Sequence, residues 1–179
     1  MFKDFTEITL YHGSFTKVDK PDLKHSKKGK DFGRGFYLTT DKAQGIRFAK
    51  LIARRNGLKA GVINTYKFTN FEGLDIFEFT TTDEDWLNCI IGNRNSKYKK
   101  LATPWSGYSV LAGKIADDDT ARTINAYMAG AFGDVNSKDA IKKAIEMFKP
   151  EKLKDQICFK TKESLKCLEF IESEVIDND

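Results

Sequence analysis

The sequence predicts an α+β fold. Short strand-like segments lie near both ends of the chain, helix-period segments with their own caps lie between them, and no repeat or low-complexity linker divides the 179 residues. An early strand and a late strand with helices between them bring the two ends of the chain into one sheet. Residues 7–13 alternate and end on Gly13, a short strand. Residues 14–30 are polar, contain Pro21 and read as a surface loop. Residues 35–39 form a second short strand, and Asp41 caps a helix bearing Ile46, Ala49, Ile52 and Ala53, with Gly57 as its stop. Strands follow at 62–68 and 74–79, then a helix capped by Thr82 or Asp83. A buried strand is expected at 108–112, a helix capped by Asp118 or Asp119 through Met128, and a helix from Ser137 through Phe148, with a break at Pro150. The late strand occupies 156–161, and a helix carrying Leu165, Leu168 and Ile171 follows it.

Composition excludes several classes. At 40% hydrophobic and 31% charged residues the chain is an ordinary globular protein, with one domain over residues 1–179 expected. Apolar runs such as Cys89-Ile90-Ile91 are too short to span a bilayer, so no membrane association is expected. Residues 1–5 lack the basic start and apolar stretch of a signal peptide, and an odd set of three cysteines without a C-x-x-C pair fits reduced thiols. Together these predict a cytoplasmic protein. Neither His12 nor His25 makes a zinc spacing with the cysteines, so no metal is expected. The net charge of +4 is mild, but it is uneven. Lys17, Lys20, Lys24, Lys27, Lys28 and Lys30 crowd one loop, and Arg94, Lys97, Lys99 and Lys100 form a second cluster. Such runs are either solvated faces or landing strips for an anionic partner.

Two segments put polar side chains beside glycines, which let a ligand approach the backbone closely: Leu10-Tyr11-His12-Gly13-Ser14 and residues 31–39 with Gly33-Arg34-Gly35-Phe36-Tyr37. In this order, followed late in the chain by Asp155-Gln156-Ile157-Cys158-Phe159, they resemble the ADP-ribosyltransferase superfamily on its poly(ADP-ribose) polymerase and diphtheria-toxin side. The chain also looks like a small bacterial family of unassigned function within that superfamily, through residues 31–40, Ala116-Asp117-Asp118 and residues 155–161. The resemblance implies a split β-sheet core flanked by helices, with NAD as substrate and no metal.

It also implies roles. Gly13 would pair through its backbone with the nicotinamide amide, His12 would bond a ribose hydroxyl of the adenosine half, and Ser14 would assist. Tyr37 would stack on the nicotinamide with Phe48 as a second ring, Gly35 and Phe36 would line the same site, and Arg34 or the lysine-rich loop would meet the pyrophosphate. The third signature residue of the superfamily is usually glutamate; here it is Gln156. A carboxylate about 4 Å from the developing cation, at an effective dielectric near 20, is worth up to roughly 4 kcal/mol, about three decades in rate. Asp155 cannot replace it, because neighbouring strand residues face opposite ways.

The reading that follows is a mono-ADP-ribosyltransferase of the small bacterial toxin or effector kind, acting on an unidentified protein or nucleic-acid acceptor. A neutralising protein partner is compatible with it. Two other readings stand beside it: a weak or inactive module that holds NAD or ADP-ribose, and a nucleic-acid binder using the lysine clusters. Residues 103–107, with Trp105, are the candidate acceptor loop unless Trp105 plugs the edge of the core.

Overall fold

Helix α1 (Lys42–Arg55) starts where Asp41 accepts from the Gln44 N–H at 3.1 Å, and the chain turns away at Gly57, whose φ is +67°. The computed structural model describes residues 6–69, 71–148 and 153–178. Around α1 the strands are β1 (Glu7–Ser14), β2 (Phe36–Leu38) and β3 (Ala60–Thr69). Then come β4 (Ile76–Glu78), α2 (Glu84–Arg94), a 3-10 helix (Ser96–Trp105) and β5 (Val110–Lys114). The chain finishes with α3 (Asp118–Met128), α4 (Lys138–Glu146), β6 (Asp155–Phe159), α5 (Lys162–Lys166) and β7 (Leu168–Asp177). The fold is α+β, as expected. Among the described residues no helix is long and apolar enough to cross a membrane. Residues 1–5 and Pro150, on which two expectations rested, lie outside the described residues.

The strands form two sheets. One runs β1-β3-β7, all antiparallel, and the other runs β2-β6-β5-β4, with only the β4–β5 pair parallel. Early and late strands do meet, through β2 with β6 and β3 with β7. Leu10, Tyr66 and Phe68 of the first sheet pack with Phe36, Val110, Ile157 and Phe159 of the second in one core. The opposite face of the second sheet, with Leu111 and Cys158, packs against Trp86, Ile90, Tyr127 and Ala144 of α2, α3 and α4. This is the strand alternation at work: odd and even positions of β5 and β6 serve two different cores.

Helix α1 covers the outer face of the first sheet, and it lies very close to it. A Cβ built on Gly13 would stand 2.3 Å from the Gly45 carbonyl oxygen and 2.5 Å from the Ala49 nitrogen. Both obstacles are helix backbone and cannot swing aside, so glycine at 13 sets the distance between α1 and β1.

Two expectations need correction, and one element is new. The helix expected after the late strand stops at Lys166, and Leu168 and Ile171 belong to β7, which pairs with β3 at nine positions, Ile171 falling at the register shift between Thr65 and Tyr66. Their spacing suits a helix, but the free edge of β3 rewards only the extended form. The cap of α3 is Asp117, which accepts from the Thr120 N–H at 2.9 Å, rather than Asp118 or Asp119. The 3-10 helix at Ser96–Trp105 was not foreseen; Asn95 caps it through the Lys97 N–H at 3.0 Å.

Gly13→Ala is expected to lower the unfolding free energy by about 1–3 kcal/mol, the usual cost of forcing extra atoms into a close-packed contact. Urea denaturation measures it, and a midpoint equal to the parent's would show that α1 can lift off β1 freely.

Candidate functional site

The two sheets are joined where Tyr11 and Thr39 exchange backbone hydrogen bonds of 2.8 and 3.0 Å in an isolated bridge. The β2–β6 register pairs Leu38 with Ile157, so Thr39 stands beside Gln156, which pairs with Gly113 on β5. One row thus crosses the junction: Tyr11, Thr39, Gln156, Gly113. Tyr11 spends its N–H and C=O on Thr39, away from β3. Backbone groups two residues apart point to the same edge, so those of Gly13 face the gap where the sheets diverge.

His12 spans that gap. Its Nδ1 lies 2.8 Å from the Tyr37 carbonyl oxygen, which can only accept, so Nδ1 carries the hydrogen. In the neutral ring Nε2 then keeps its lone pair. The imidazole packs at a tilt on Phe36 with centroids 4.3 Å apart, and burial pulls its pKa below 6.5 despite the backbone acceptor. By strand parity His12 and Phe36 share the inner face and Tyr37 and Gln156 the outer one; at Gly13 the outer face is covered by α1, and its backbone edge faces the gap.

Tyr37 is half-buried and its hydroxyl is already engaged. It donates to the Gly33 carbonyl at 2.7 Å and accepts from the Phe32 N–H at 3.1 Å, which folds the glycine segment back onto its own strand. Gly35 is pressed against β6: a Cβ there would meet the Cys158 Sγ at 2.3 Å and the Phe159 carbonyl oxygen at 2.7 Å. Burial pushes the Cys158 thiol up to about 12, so the nearest sulfur is neutral.

Gln156, only 6% exposed, donates through Nε2 to the Asp31 carboxylate at 2.8 Å and to the Lys114 carbonyl at 3.3 Å. The other oxygen of Asp31 receives Arg94 through Nε at 2.7 Å and Nη2 at 2.5 Å, and the Ala116 N–H adds 3.2 Å on the Gln156 side. Sequence reasoning missed this network. Asp31 was read only as the start of a glycine segment, and Arg94 as a member of the second basic cluster. Arg94 instead turns inward, because a buried carboxylate needs a counter-charge. The one available signal was an acidic residue opening a segment otherwise made of glycine, basic and aromatic residues.

The remaining expected residues are distributed as follows. Ser14 is buried, with its hydroxyl accepting from the Thr16 N–H at 3.4 Å. Arg34 is exposed beside Gly35, and Phe48 on α1 is 37% exposed next to Gly13. Asp155 points away to the Lys114 ammonium at 3.0 Å, as its place next to Gln156 required. Trp105 is 6% exposed in the α2–α4 core, so it plugs the core edge and does not present an aromatic to an acceptor. Lys160 holds it there, donating to the Trp105 carbonyl at 3.0 Å. The lysine-rich loop is tethered too: the buried Asn64 accepts from the Val18 N–H at 2.8 Å and donates to the Thr16 carbonyl at 3.3 Å. Among the described residues no three His, Cys, Asp or Glu side chains gather to hold a metal ion.

Fold and site together define an α+β protein of two sheets with a polar cluster at their junction. Residues 8–170 match the model of the family described as "Protein of unknown function (DUF3990)", and the chain belongs to that family. No curated protein matches the sequence.

The histidine gives a direct test. The ring of His12 is half-buried with its Nδ1 hydrogen committed to the Tyr37 carbonyl, so a proton NMR titration should place the His12 midpoint below 6.5. The unfolded chain takes up this proton near 6.5, before the folded one, so stability is full above that pH and falls as pH drops toward the folded value. His12→Gln should flatten this part of the stability profile. A His12 midpoint at or above 6.5 would show that the ring is solvated.

Proposed function

We propose that this protein is an NAD-dependent mono-ADP-ribosyltransferase on an ADP-ribosyltransferase-like split-sheet core, acting on a protein or nucleic-acid acceptor in the cytoplasm. The observation that carries the reading is the meeting of three sequence-distant segments at one sheet junction: His12-Gly13, Tyr37 and Gln156. The bond between nicotinamide and ribose breaks when neutral nicotinamide leaves with the bonding pair. The acceptor's electron pair then forms the new bond to the ribose carbon, and the acceptor loses a proton. Such a reaction needs grip and orientation more than acid–base power.

The residues suit that work. The open backbone of Gly13 offers one donor and one acceptor, which matches a primary carboxamide. Tyr37 has its hydroxyl tied down, so its ring is held for stacking at little entropic cost, and the partly exposed Phe48 offers a second ring on the other side of Gly13. Neutral His12 presents Nε2 as an acceptor for a ribose hydroxyl. Arg34 and the lysines of the tethered loop supply positive charge for a pyrophosphate. A bacterial toxin or effector with a neutralising protein partner is the biological setting this reading favours.

A second reading has its own observation. The Gln156 amide is committed to Asp31 and brings no negative charge of its own to a ribose cation, which favours a module that holds NAD or ADP-ribose and turns it over slowly or not at all.

Calorimetry with NAD should show binding that His12→Ala weakens by about 1–3 kcal/mol, the cost of a lost buried hydrogen bond. Tyr37→Phe should keep the stacking and lose mainly the loop tether. Binding unchanged by His12→Ala would remove the site assignment. Incubation with labelled NAD and a cell lysate, followed by separate recovery of protein and nucleic acid, divides the readings. Label in either fraction supports transfer and names the acceptor class; NAD binding without label or nicotinamide release supports the holding module.

A further inference from the structure

Asp31 sits between three elements and is 6% exposed. One carboxylate oxygen receives two nitrogens of Arg94 from the end of α2; the other receives Gln156 from β6 and the Ala116 N–H from the turn before α3. The Gln156 amide can therefore stand only one way. Its NH2 faces two acceptors, the Asp31 Oδ2 and the Lys114 carbonyl. Turned over, its oxygen would face both of them with no donor in reach. The carbonyl oxygen Oε1 is thus held on the side away from Asp31, and an amide whose N–H binds a carboxylate becomes a stronger acceptor at its oxygen.

The charges around the pair are few. Arg94 and Cys89 face it from α2, Cys158 from β6 and Tyr37 from β2; Lys160, next to the two thiols, donates to the Trp105 carbonyl, and the Lys114 ammonium is occupied by Asp155. Burial pushes both thiols up to about 12 and the Tyr37 phenol well above its ordinary value, so all three stay neutral, and among the described residues Arg94 is the one counter-charge in contact with Asp31. A second carboxylate at position 156 would stand within hydrogen-bond distance of the first and share that single guanidinium.

We propose that Asp31 is the positioning residue of this site: it orients and polarises the Gln156 amide, so that an Asp31–Gln156 pair presents a fixed carbonyl acceptor where one acidic side chain would otherwise stand. That the acceptor serves a ribose hydroxyl rests on the NAD reading above. That residue 156 is kept neutral by Asp31 does not, and the two parts can fail separately.

The test compares the full chain with D31N, Q156E and the exchange variant D31N/Q156E. In wild type, nitrogen-edited NMR should show a Gln156 side-chain NH2 shifted downfield and slow to exchange, and D31N should abolish both features. In Q156E the added carboxyl should titrate well above the roughly 4.3 of a free glutamate. Its folded pKa is then raised, so the stability it contributes is complete below that value and is lost as pH rises through the folded pKa. Q156E should therefore unfold more easily as pH climbs, whereas D31N/Q156E, with an amide facing a carboxylate again, should not. A Q156E stability profile parallel to wild type, with a Gln156 NH2 unaffected by D31N, would overturn the proposal.

The ribose arm is read from nicotinamide release. D31N should lower kcat about tenfold or more, since a transition-state hydrogen bond is worth at least that, with KM for NAD moving less than kcat. A role confined to folding would lower the active fraction of D31N and leave its pH profile unchanged. If wild type releases no nicotinamide, the transferase reading fails, and the NMR and stability results still decide whether Asp31 positions Gln156.

Discussion

The two hydrogen bonds between Tyr11 and Thr39 are the hinge on which the architecture turns, because they join the two sheets at one bridge and let them diverge beyond it. On the joined side the strands close over a shared apolar core. On the diverging side β1 keeps an edge with no strand opposite Gly13. An open edge would ordinarily invite further pairing, but here His12 reaches across to the Tyr37 carbonyl and holds the gap at a fixed width. Function, in the reading proposed, occupies the place where pairing stops.

Keeping that place in order takes two kinds of contact. Helix α1 approaches β1 so closely that position 13 has no room for a side chain, which seats Phe48 next to Gly13. On the second sheet, order comes from charge. Burying Asp31 with Arg94 costs desolvation of both ions, and such pairs seldom add net stability. What the pair supplies is direction: with Ala116 and Gln156 filling the other oxygen, every acceptor position of the carboxylate is used and the amide has no alternative rotamer. Removing Arg94 or Asp31 alone would leave an unpaired buried charge, the costliest kind of change in such a network.

The basic surface is less free than its composition suggests. Arg94 is internal, Lys160 is tied to the carbonyl of Trp105, and the loop containing Lys17 and Lys20 is anchored at Val18 by Asn64 and by the Tyr66 hydroxyl.

The sequence by itself determined the α+β class, most strand positions, the caps at Asp41 and Ser137, and a choice of Thr82 or Asp83 for the cap of α2, because these depend on local periodicity and on side chains that reach only two or three residues away. It also singled out His12, Tyr37 and Gln156, since glycine-bearing segments in a set order are visible in one dimension. Tertiary structure alone decided that residues 168–177 extend, because the free edge of β3 exists only once the sheet is built. It alone placed Trp105 in the core and Arg94 against Asp31. The partners Asp31 and Gln156 are 125 residues apart, and no periodicity spans that distance. A buried charge chooses its partner by proximity in the folded chain, and proximity of that kind is set by the sheet register.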